Sequence, residues 1–179
     1  EYVVDVPRAA RARGLKNVLV TAGYVTEEAR GELYADADAA NVDLKGFTEQ
    51  FYWKQTGAHL EAVLETLKWI RHHTRTWLEV TTLLIPGHND GDDEIRRLAG
   101  WFRENLGPDV PLHFTAFHPD FKMTDVRPTP PDWAYVNNFA APHRPVALAL
   151  PSGRAPGFAK AVHALLDDLK LALPAVFES

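Results

Sequence analysis

The fold of this protein is decided by the stretch Ala39-Ala40-Asn41-Val42-Asp43-Leu44-Lys45. Polar and apolar side chains alternate along it, which predicts a β-strand with Asn41, Asp43 and Lys45 on one face. Val42 and Leu44 then lie on the opposite face. This strand is one of four that the sequence predicts, and its polar face carries the sharpest functional signal in the chain.

Predicted strands and helices alternate along the first two thirds of the sequence. The other strands are 17–21, buried on both faces, 77–85 and 111–117; the helices are 1–13, one after Thr26, 60–72, and one capped by Asn89 or Asp90. The connections are too long for hairpins, so the order predicts a parallel sheet with right-handed crossovers. Because no G-x-G-x-x-G and no P-loop occurs, we favour a partial barrel over an open nucleotide-binding sheet.

The last third of the chain has a different character. Pro128-Thr129-Pro130-Pro131 ends the alternation, residues 132–157 show no clear period, and 158–173 predict one amphipathic helix. We therefore predict an α/β partial barrel over 1–130 and a divergent, irregular and helical tail over 131–179. Residue 1 is a Glu inside a segment patterned for structure, so we expect a fragment that is cut at its N-terminus.

Composition narrows the function classes. The chain has 179 residues, 46% hydrophobic and 24% charged, with a net charge of −5 and no cysteine. No apolar run is long enough to span a membrane, and the acidic balance gives no general grip on nucleic acid. Without cysteine, these residues can form no disulfide, thiolate metal site or cysteine nucleophile. We expect a cytoplasmic protein with neither membrane nor nucleic acid as partner.

Polar residues recur where the predicted strands end. In parallel α/β barrels, catalytic and ligand-binding residues cluster at these carboxyl ends. The candidate site residues are Thr21, Gly23, Asp43, Lys45, Glu79, Thr81 and His118. Asp43 and Lys45 either face a ligand as a charge pair or form a structural ion pair at the barrel mouth. Glu79 either contacts a ligand or forms an internal salt bridge. The register of Glu79 and Thr81 stays open, because Thr81 and Thr82 are chemically alike.

The histidines divide into one site candidate and several structural ones. His118 follows the fourth strand and is predicted on the side of Ala116, either as a site residue or as a hydrogen-bonded structural histidine. His113 is predicted on the other face, packed against a helix. No two histidines have metal-ligand spacing with a nearby carboxylate, so the sequence predicts no metal held by these residues.

Four stretches together resemble the radical SAM enzyme family. They are Gly14–Tyr24 (GLKNVLVTAGY), Ala40–Phe47 (ANVDLKGF), Thr82–Asp90 (TLLIPGHND) and Pro111–Pro119 (PLHFTAFHP). The D-L-K strand and the L-I-P-G-x-N-D turn are similar to those of the AmmeMemoRadiSam system enzyme, a relative of pyruvate formate-lyase activating enzyme. The resemblance covers about residues 1–130.

The resemblance implies more than the spacing does. It implies a radical SAM barrel that lacks its first strand and cluster loop, from an activating-enzyme type of oxidoreductase. The intact enzyme would use S-adenosylmethionine and a [4Fe-4S] cluster to form a 5′-deoxyadenosyl radical, which attacks a protein or small-molecule acceptor. Asp43, Lys45 and His118 would contact or adjoin S-adenosylmethionine, Glu79 and Thr81 would line its cavity, and Thr21–Gly23 would border it. The cluster cysteines are missing from this sequence, so we expect this chain alone to be inactive.

Two other hypotheses remain from the residues. Lys45 at a strand end fits a barrel aldolase that uses a Schiff base, since a desolvated lysine can act as a nucleophile. A non-catalytic scaffold with a vestigial site is the other.

Overall fold

The computed structural model describes residues 2–130. Its helices are α1 (Tyr2–Arg11), α2 (Glu27–Tyr34), α3 (Glu49–Phe51), α4 (Leu60–His73) and α5 (Asp92–Asn105). A π-helical turn, Tyr52–Thr56, continues α3 and ends at Gly57, whose φ is +66°. The predicted helix over 158–173 and the tail lie outside the described residues.

Four strands form one parallel sheet in the order β1-β2-β3-β4, which confirms the predicted α/β architecture. They are β1 (Val18–Thr21), β2 (Ala39–Asp43), β3 (Trp77–Leu84) and β4 (Leu112–Ala116). Since each strand pairs with the next one in sequence and all run the same way, their carboxyl ends meet at one edge of the sheet. The segments that follow each strand therefore lie along the same edge.

One face of the sheet is packed under helices. Val42, Val80 and Phe114 point to this face and are almost fully buried. Helices α4 and α5 contribute the apolar side of their periodic stripes, which are Val63, Leu64, Leu67, Ile70, Ile95, Leu98, Ala99 and Phe102. Burying each large aliphatic side chain stabilises the fold by about 1.5–3 kcal/mol, so this helix-covered face supplies the core.

The other face, which we call the open face, carries polar side chains. Its residues are Val18 and Val20 on β1, Asn41 and Asp43 on β2, Trp77, Glu79, Thr81 and Leu83 on β3, and His113 and Thr115 on β4. Val20 is 77% exposed and Trp77 is 50% exposed. The described residues therefore leave the open face accessible to a ligand.

Two predictions about local structure are wrong. The first strand is not buried on both faces, because Val18 and Val20 lie on the open face. Helix α5 has Gly91 at its N-cap position, and neither Asn89 nor Asp90 caps it. Helix α1 contains Pro7 in its interior, and none of its residues is buried.

Candidate functional site

Strand register arranges the polar side chains of the open face in two rows. Asn41 pairs with Glu79, and one step further toward the carboxyl edge Asp43 pairs with Thr81 and Thr81 with His113. Paired residues of adjacent parallel strands point to the same face. This answers which face the side chains of the third strand occupy. Thr82 is buried under the helices, and Glu79 and Thr81 lie on the open face.

Asp43 and Lys45 form an ion pair at the carboxyl edge. The Lys45 Nζ lies 2.7 Å from the Asp43 Oδ2, and the two side chains are 39% and 32% exposed. An ion pair this open to solvent contributes little to folding stability, typically about 0–1 kcal/mol. Both groups can therefore exchange their mutual contact for contacts with a ligand at small cost.

Asn41 and Thr81 join β2 and β3 on the open face. The Asn41 Nδ2 lies 3.0 Å from the Thr81 Oγ1, and that hydroxyl can in turn donate to the Asn41 Oδ1 at 3.1 Å. A half-buried amide and hydroxyl that satisfy each other avoid the cost of an unpaired polar group. This pair fixes the rotamers beside Asp43.

Glu79 and His113 form a second polar contact on the same face. The His113 Nε2 lies 3.0 Å from the Glu79 Oε2, and the Trp77 Nε1 donates to the Glu79 Oε1 at 2.9 Å. The prediction that His113 packs against a helix is wrong, because its strand partner is Thr81 of the open face. Its alternation with Leu112 and Phe114 is the signal that could have shown this.

The backbone of Lys45 is held from both sides. Its amide donates to the Tyr52 hydroxyl at 3.0 Å, and its carbonyl accepts from the Asn89 Nδ2 at 2.7 Å. Tyr52 and Asn89 are each 2% exposed. Burial raises the pKa of Tyr52 to about 12, so its hydroxyl stays protonated at neutral pH. Lys45 is thus placed by two rigid buried groups rather than by a loose loop.

A third contact fixes the segment just after Lys45. The Phe47 amide donates to the Glu94 Oε1 at 2.6 Å. Burial raises the pKa of Glu94, and the hydrogen bond from Phe47 opposes that shift. Glu94 lies in the first turn of α5, so the helix that follows β3 also holds the segment that follows β2.

The structure brings together four of the seven predicted site residues, and it places the other three differently. Asp43, Lys45, Glu79 and Thr81 lie on or beside the open face. Thr21 pairs with Val42, which puts its side chain on the helix-covered face, and its Oγ1 accepts from the Gly23 amide at 3.1 Å.

Gly23 and His118 lie beyond strand ends. Gly23 is buried with a φ of +68°, close to Val42 and Val63. His118 is exposed two residues after β4. The strand alternation does not extend to His118, and Ala116 pairs with Leu84 of the helix-covered face. The register therefore does not test the prediction that His118 lies on the side of Ala116 as a site residue.

The residues present do not fit an iron–sulfur cluster. The chain contains no cysteine, and thiolates are the ligands that such clusters require. Within residues 2–130, no group of three or more His, Asp or Glu side chains could hold a metal ion. A polar organic ligand fits better, since the open face offers a carboxylate, an ammonium, a hydroxyl and an imidazole.

Comparison with known sequences gives one extended match. The chain is 43% identical over 130 residues to the uncharacterized protein MJ0808 of Methanocaldococcus jannaschii. The match covers 73% of this chain and 38% of the relative, so the chain spans well under half of that protein's length. The family of the Lon-like LonC helical domain matches residues 132–165, which lie outside the described range.

Comparison with solved structures identifies the fold. A domain of pyruvate-formate lyase-activating enzyme from Bacteroides vulgatus superposes with a TM-score of 0.63 at 14% identity, covering 73% of this chain and 78% of that chain. Streptococcus suis SuiB gives a TM-score of 0.56 at 10% identity, covering 72% and 29%. TYW1 with a lysine-pyruvate adduct bound gives 0.50 at 19%, covering 70% and 40%.

All three structures share the arrangement of strands and helices with this chain. Their identities to this chain are low, so the likeness concerns the backbone arrangement.

In the described residues, no helix is long and apolar enough to cross a lipid bilayer. The part of the chain from residue 2 to residue 130 has the fold of the domain of pyruvate-formate lyase-activating enzyme, with a four-stranded parallel sheet of a partial barrel.

Proposed function

We propose that this chain is the part of a radical SAM enzyme of the AmmeMemoRadiSam type that binds S-adenosylmethionine. The observation that carries the proposal is the charged pair Asp43–Lys45 at the carboxyl edge of a sheet with the radical SAM fold. When bound, S-adenosylmethionine supplies a sulfonium bond whose one-electron cleavage in the intact enzyme yields a 5′-deoxyadenosyl radical. The acceptor of that radical is a protein or a small molecule, and we place the activity in the cytoplasm.

The proposed roles follow from the chemistry of the ligand. S-adenosylmethionine has a carboxylate, an amine and ribose hydroxyls, and the open face offers partners for each. The Lys45 ammonium can pair with the carboxylate, and the Asp43 carboxylate can accept from the hydroxyls or the amine. Thr81, beside Asp43 in register, can add a hydroxyl contact. The backbone clamp on Lys45 by Tyr52 and Asn89 keeps that end of the site preorganised.

We propose that the cluster which such chemistry needs is not held by these 179 residues, because none is a cysteine. The chain alone is then inactive in reductive cleavage. The check is to reconstitute the purified chain with iron and sulfide, add dithionite and S-adenosylmethionine, and assay 5′-deoxyadenosine by chromatography. Appreciable deoxyadenosine would contradict this part of the proposal.

Binding of S-adenosylmethionine tests the site itself. Equilibrium dialysis with labelled S-adenosylmethionine should show weak binding by the wild-type chain and at least a tenfold loss in Asp43→Ala and Lys45→Ala. Lys16→Ala is the matched control, because Lys16 pairs with Asp38 at 2.9 Å before the strands begin. Binding that is absent in the wild type, or equal in all four proteins, would support a scaffold with a vestigial site instead.

The Schiff-base hypothesis for Lys45 has weaker support. TYW1 shares this fold at a TM-score of 0.50 and carries a lysine-pyruvate adduct in its structure. In this chain, however, the Lys45 side chain is 39% exposed and its Nζ contacts Asp43 at 2.7 Å, whereas a Schiff-base lysine is commonly desolvated in an apolar pocket. Borohydride trapping with pyruvate, read by mass spectrometry, should leave Lys45 unmodified; a trapped adduct on Lys45 would revive the aldolase hypothesis.

A further inference from the structure

A ring nitrogen of His113 on the open face has no hydrogen-bond partner among the described residues. Asn41 and Thr81 bond to each other, Asp43 is paired with Lys45, and Glu79 accepts on both oxygens. His113 uses its Nε2 in the contact with Glu79, and its Nδ1 has no partner among residues 2–130. The imidazole ring is held in place by its strand and by the carboxylate, while its second nitrogen is left free.

The contact with Glu79 decides which nitrogen that is. An ionised carboxylate only accepts hydrogen bonds, so the proton of a neutral His113 must lie on Nε2. The lone pair then lies on Nδ1. Trp77 supports this arrangement, because its indole N–H occupies the other oxygen of Glu79 and so orients the carboxylate.

The register puts His113 in the same row as the proposed ligand site. His113 pairs with Thr81, and Thr81 pairs with Asp43, so the three share one row across adjacent strands. Adjacent strands are about 4.8 Å apart, and a ligand the size of a nucleoside spans two such steps. A molecule that contacts Asp43 can therefore also reach His113.

We propose that His113 and Glu79 form an acid–base dyad of the open face, with His113 as the catalytic residue and Glu79 as its positioning residue. The dyad serves a ligand that presents a hydroxyl or amine hydrogen over the Asp43–Thr81–His113 row. The O–H or N–H bond of that ligand breaks while an Nδ1–H bond forms, and the electron pair stays on the ligand atom. The resulting imidazolium is stabilised by the Glu79 carboxylate and returns its proton in the reverse transfer.

This inference rests on the proposed function only for the location of the ligand. The dyad itself can be tested without any ligand, by nitrogen-15 NMR of the histidine rings in the full 179-residue chain. His113→Gln assigns the His113 signals. We expect the wild-type ring to be protonated on Nε2 and unprotonated on Nδ1, and Glu79→Gln to shift His113 toward a mixture of tautomers.

A second carboxylate–histidine contact provides the matched control. Glu49 and His59 lie 2.6 Å apart on the surface, with both side chains more than half exposed. Glu49→Gln should alter the His59 signals and leave those of His113 unchanged. A wild-type His113 with its proton on Nδ1, or a Glu79→Gln spectrum identical to the wild type, would overturn the dyad.

The acid–base role is tested with S-adenosylmethionine as probe and diethyl pyrocarbonate as the reagent for a free imidazole nitrogen. We expect His113 to be acylated in the wild-type chain, and saturating S-adenosylmethionine to slow this reaction severalfold while His59 reacts as before. If the probe binds and His113 is not protected, the acid–base role is wrong. If the probe does not bind, the proposed function fails, and the tautomer of His113 alone decides the dyad.

Discussion

The side-chain amide of Asn89 donates a 2.7 Å hydrogen bond to the backbone carbonyl of Lys45, a residue 44 positions earlier in the chain. The same Nδ2 donates to the Leu83 carbonyl at 2.8 Å, and the Oδ1 accepts from the Ile85 amide at 2.7 Å. Asn89 therefore joins the ends of β2 and β3 through backbone groups alone. The position of Lys45 depends on this buried residue of the turn after β3.

Replacing Asn89 tests that dependence. Asn89→Ala removes three hydrogen bonds and leaves a buried amide and two carbonyls without this partner, so we expect a loss of roughly 2–4 kcal/mol in the free energy of unfolding. Asn89→Asp keeps the acceptor for Ile85 but points a carboxylate at two carbonyls, and should cost at least as much at neutral pH. Urea denaturation followed by circular dichroism measures both.

Asn105 offers the control for this prediction. Its Nδ2 donates a single 2.8 Å hydrogen bond to the Trp101 carbonyl, one turn back along α5. Asn105→Ala should cost about 1 kcal/mol or less. If Asn89→Ala costs no more than Asn105→Ala, Asn89 does not join the two strand ends in solution.

The role of Asn89 shows what sequence reasoning reached and what it missed. An Asn just before a helix is a sound local prediction of a cap, because capping requires only neighbours in sequence. The most distant of its observed partners is Lys45, and only the sheet order brings the two together. The four strands, by contrast, were predictable, since alternation and β-branched runs are properties of each segment by itself.

His113 was within reach of the same local reasoning. Leu112, His113 and Phe114 alternate, which puts His113 opposite its two apolar neighbours. The prediction took the side of Ala116 and His118 as the polar one, although the strand ends at Ala116. Glu79, which contacts His113, was predicted as a site candidate. The residue that Glu79 contacts depends on the strand register, and the sequence did not decide that register.

Two buried tyrosines predict a stability that falls at high pH. Burial raises the pKa of both Tyr34 and Tyr52 from an ordinary value of 10.0 to about 12. Between pH 10 and 12 the unfolded chain loses these protons while the folded chain keeps them. The stability is complete below pH 10 and is lost as the pH rises toward 12, on the order of 1 kcal/mol per pH unit for each tyrosine. Urea denaturation at pH 8, 10 and 11 measures the slope.

Tyr52→Phe separates the two contributions. At pH 8 the variant loses an acceptor for the Lys45 amide and should be less stable by about 1 kcal/mol. Above pH 10 its stability should fall less steeply than that of the wild type, because only Tyr34 remains. Tyr24→Phe, at a half-exposed ring, should follow the wild type. Equal slopes in Tyr52→Phe and the wild type would show that Tyr52 does not resist ionisation.

Glu94 predicts the same direction of change in a lower pH range. Burial raises its pKa above the ordinary value of 4.5, so the folded chain takes up this proton before the unfolded chain does. That contribution to stability is present below pH 4.5 and is lost as the pH rises through the raised value. Glu94→Gln keeps an acceptor for the Phe47 amide without a buried charge. We expect the variant to be at least as stable as the wild type at pH 7, with the difference shrinking toward pH 4.5.

Glu104, an exposed residue on the same helix, provides the control for Glu94. Glu104→Gln should show no pH-dependent difference from the wild type over this range, as measured by urea denaturation at pH 4.5, 5.5 and 7. A Glu94→Gln variant that is less stable than the wild type at pH 7 would mean that the charged hydrogen bond to Phe47 outweighs the cost of burial.

Gly23 carries the last prediction, because it has both a left-handed backbone and a crowded environment. Its φ is +68°, and a Cβ built there would lie 2.7 Å from the Val42 Cγ1. Gly23→Ala should therefore lower the free energy of unfolding in two ways. The left-handed backbone strains the alanine by about 1–2 kcal/mol (the conformational term), and the clash with Val42 costs about 1–3 kcal/mol more (the packing term). Gly14 has a φ of +75° with nothing within 4 Å, so Gly14→Ala should show the conformational term alone.

A double-mutant cycle decides whether the packing term is real. Val42→Ala removes the clashing methyl, so the double variant Gly23→Ala/Val42→Ala should cost less than the sum of the two single variants, by at least 0.5 kcal/mol. Strictly additive costs in urea denaturation would show that Gly23 does not pack against Val42. Because Val42 lies between Asn41 and Asp43 on β2, Gly23→Ala should also weaken S-adenosylmethionine binding if the site is where we propose it, whereas Gly14→Ala should leave it unchanged.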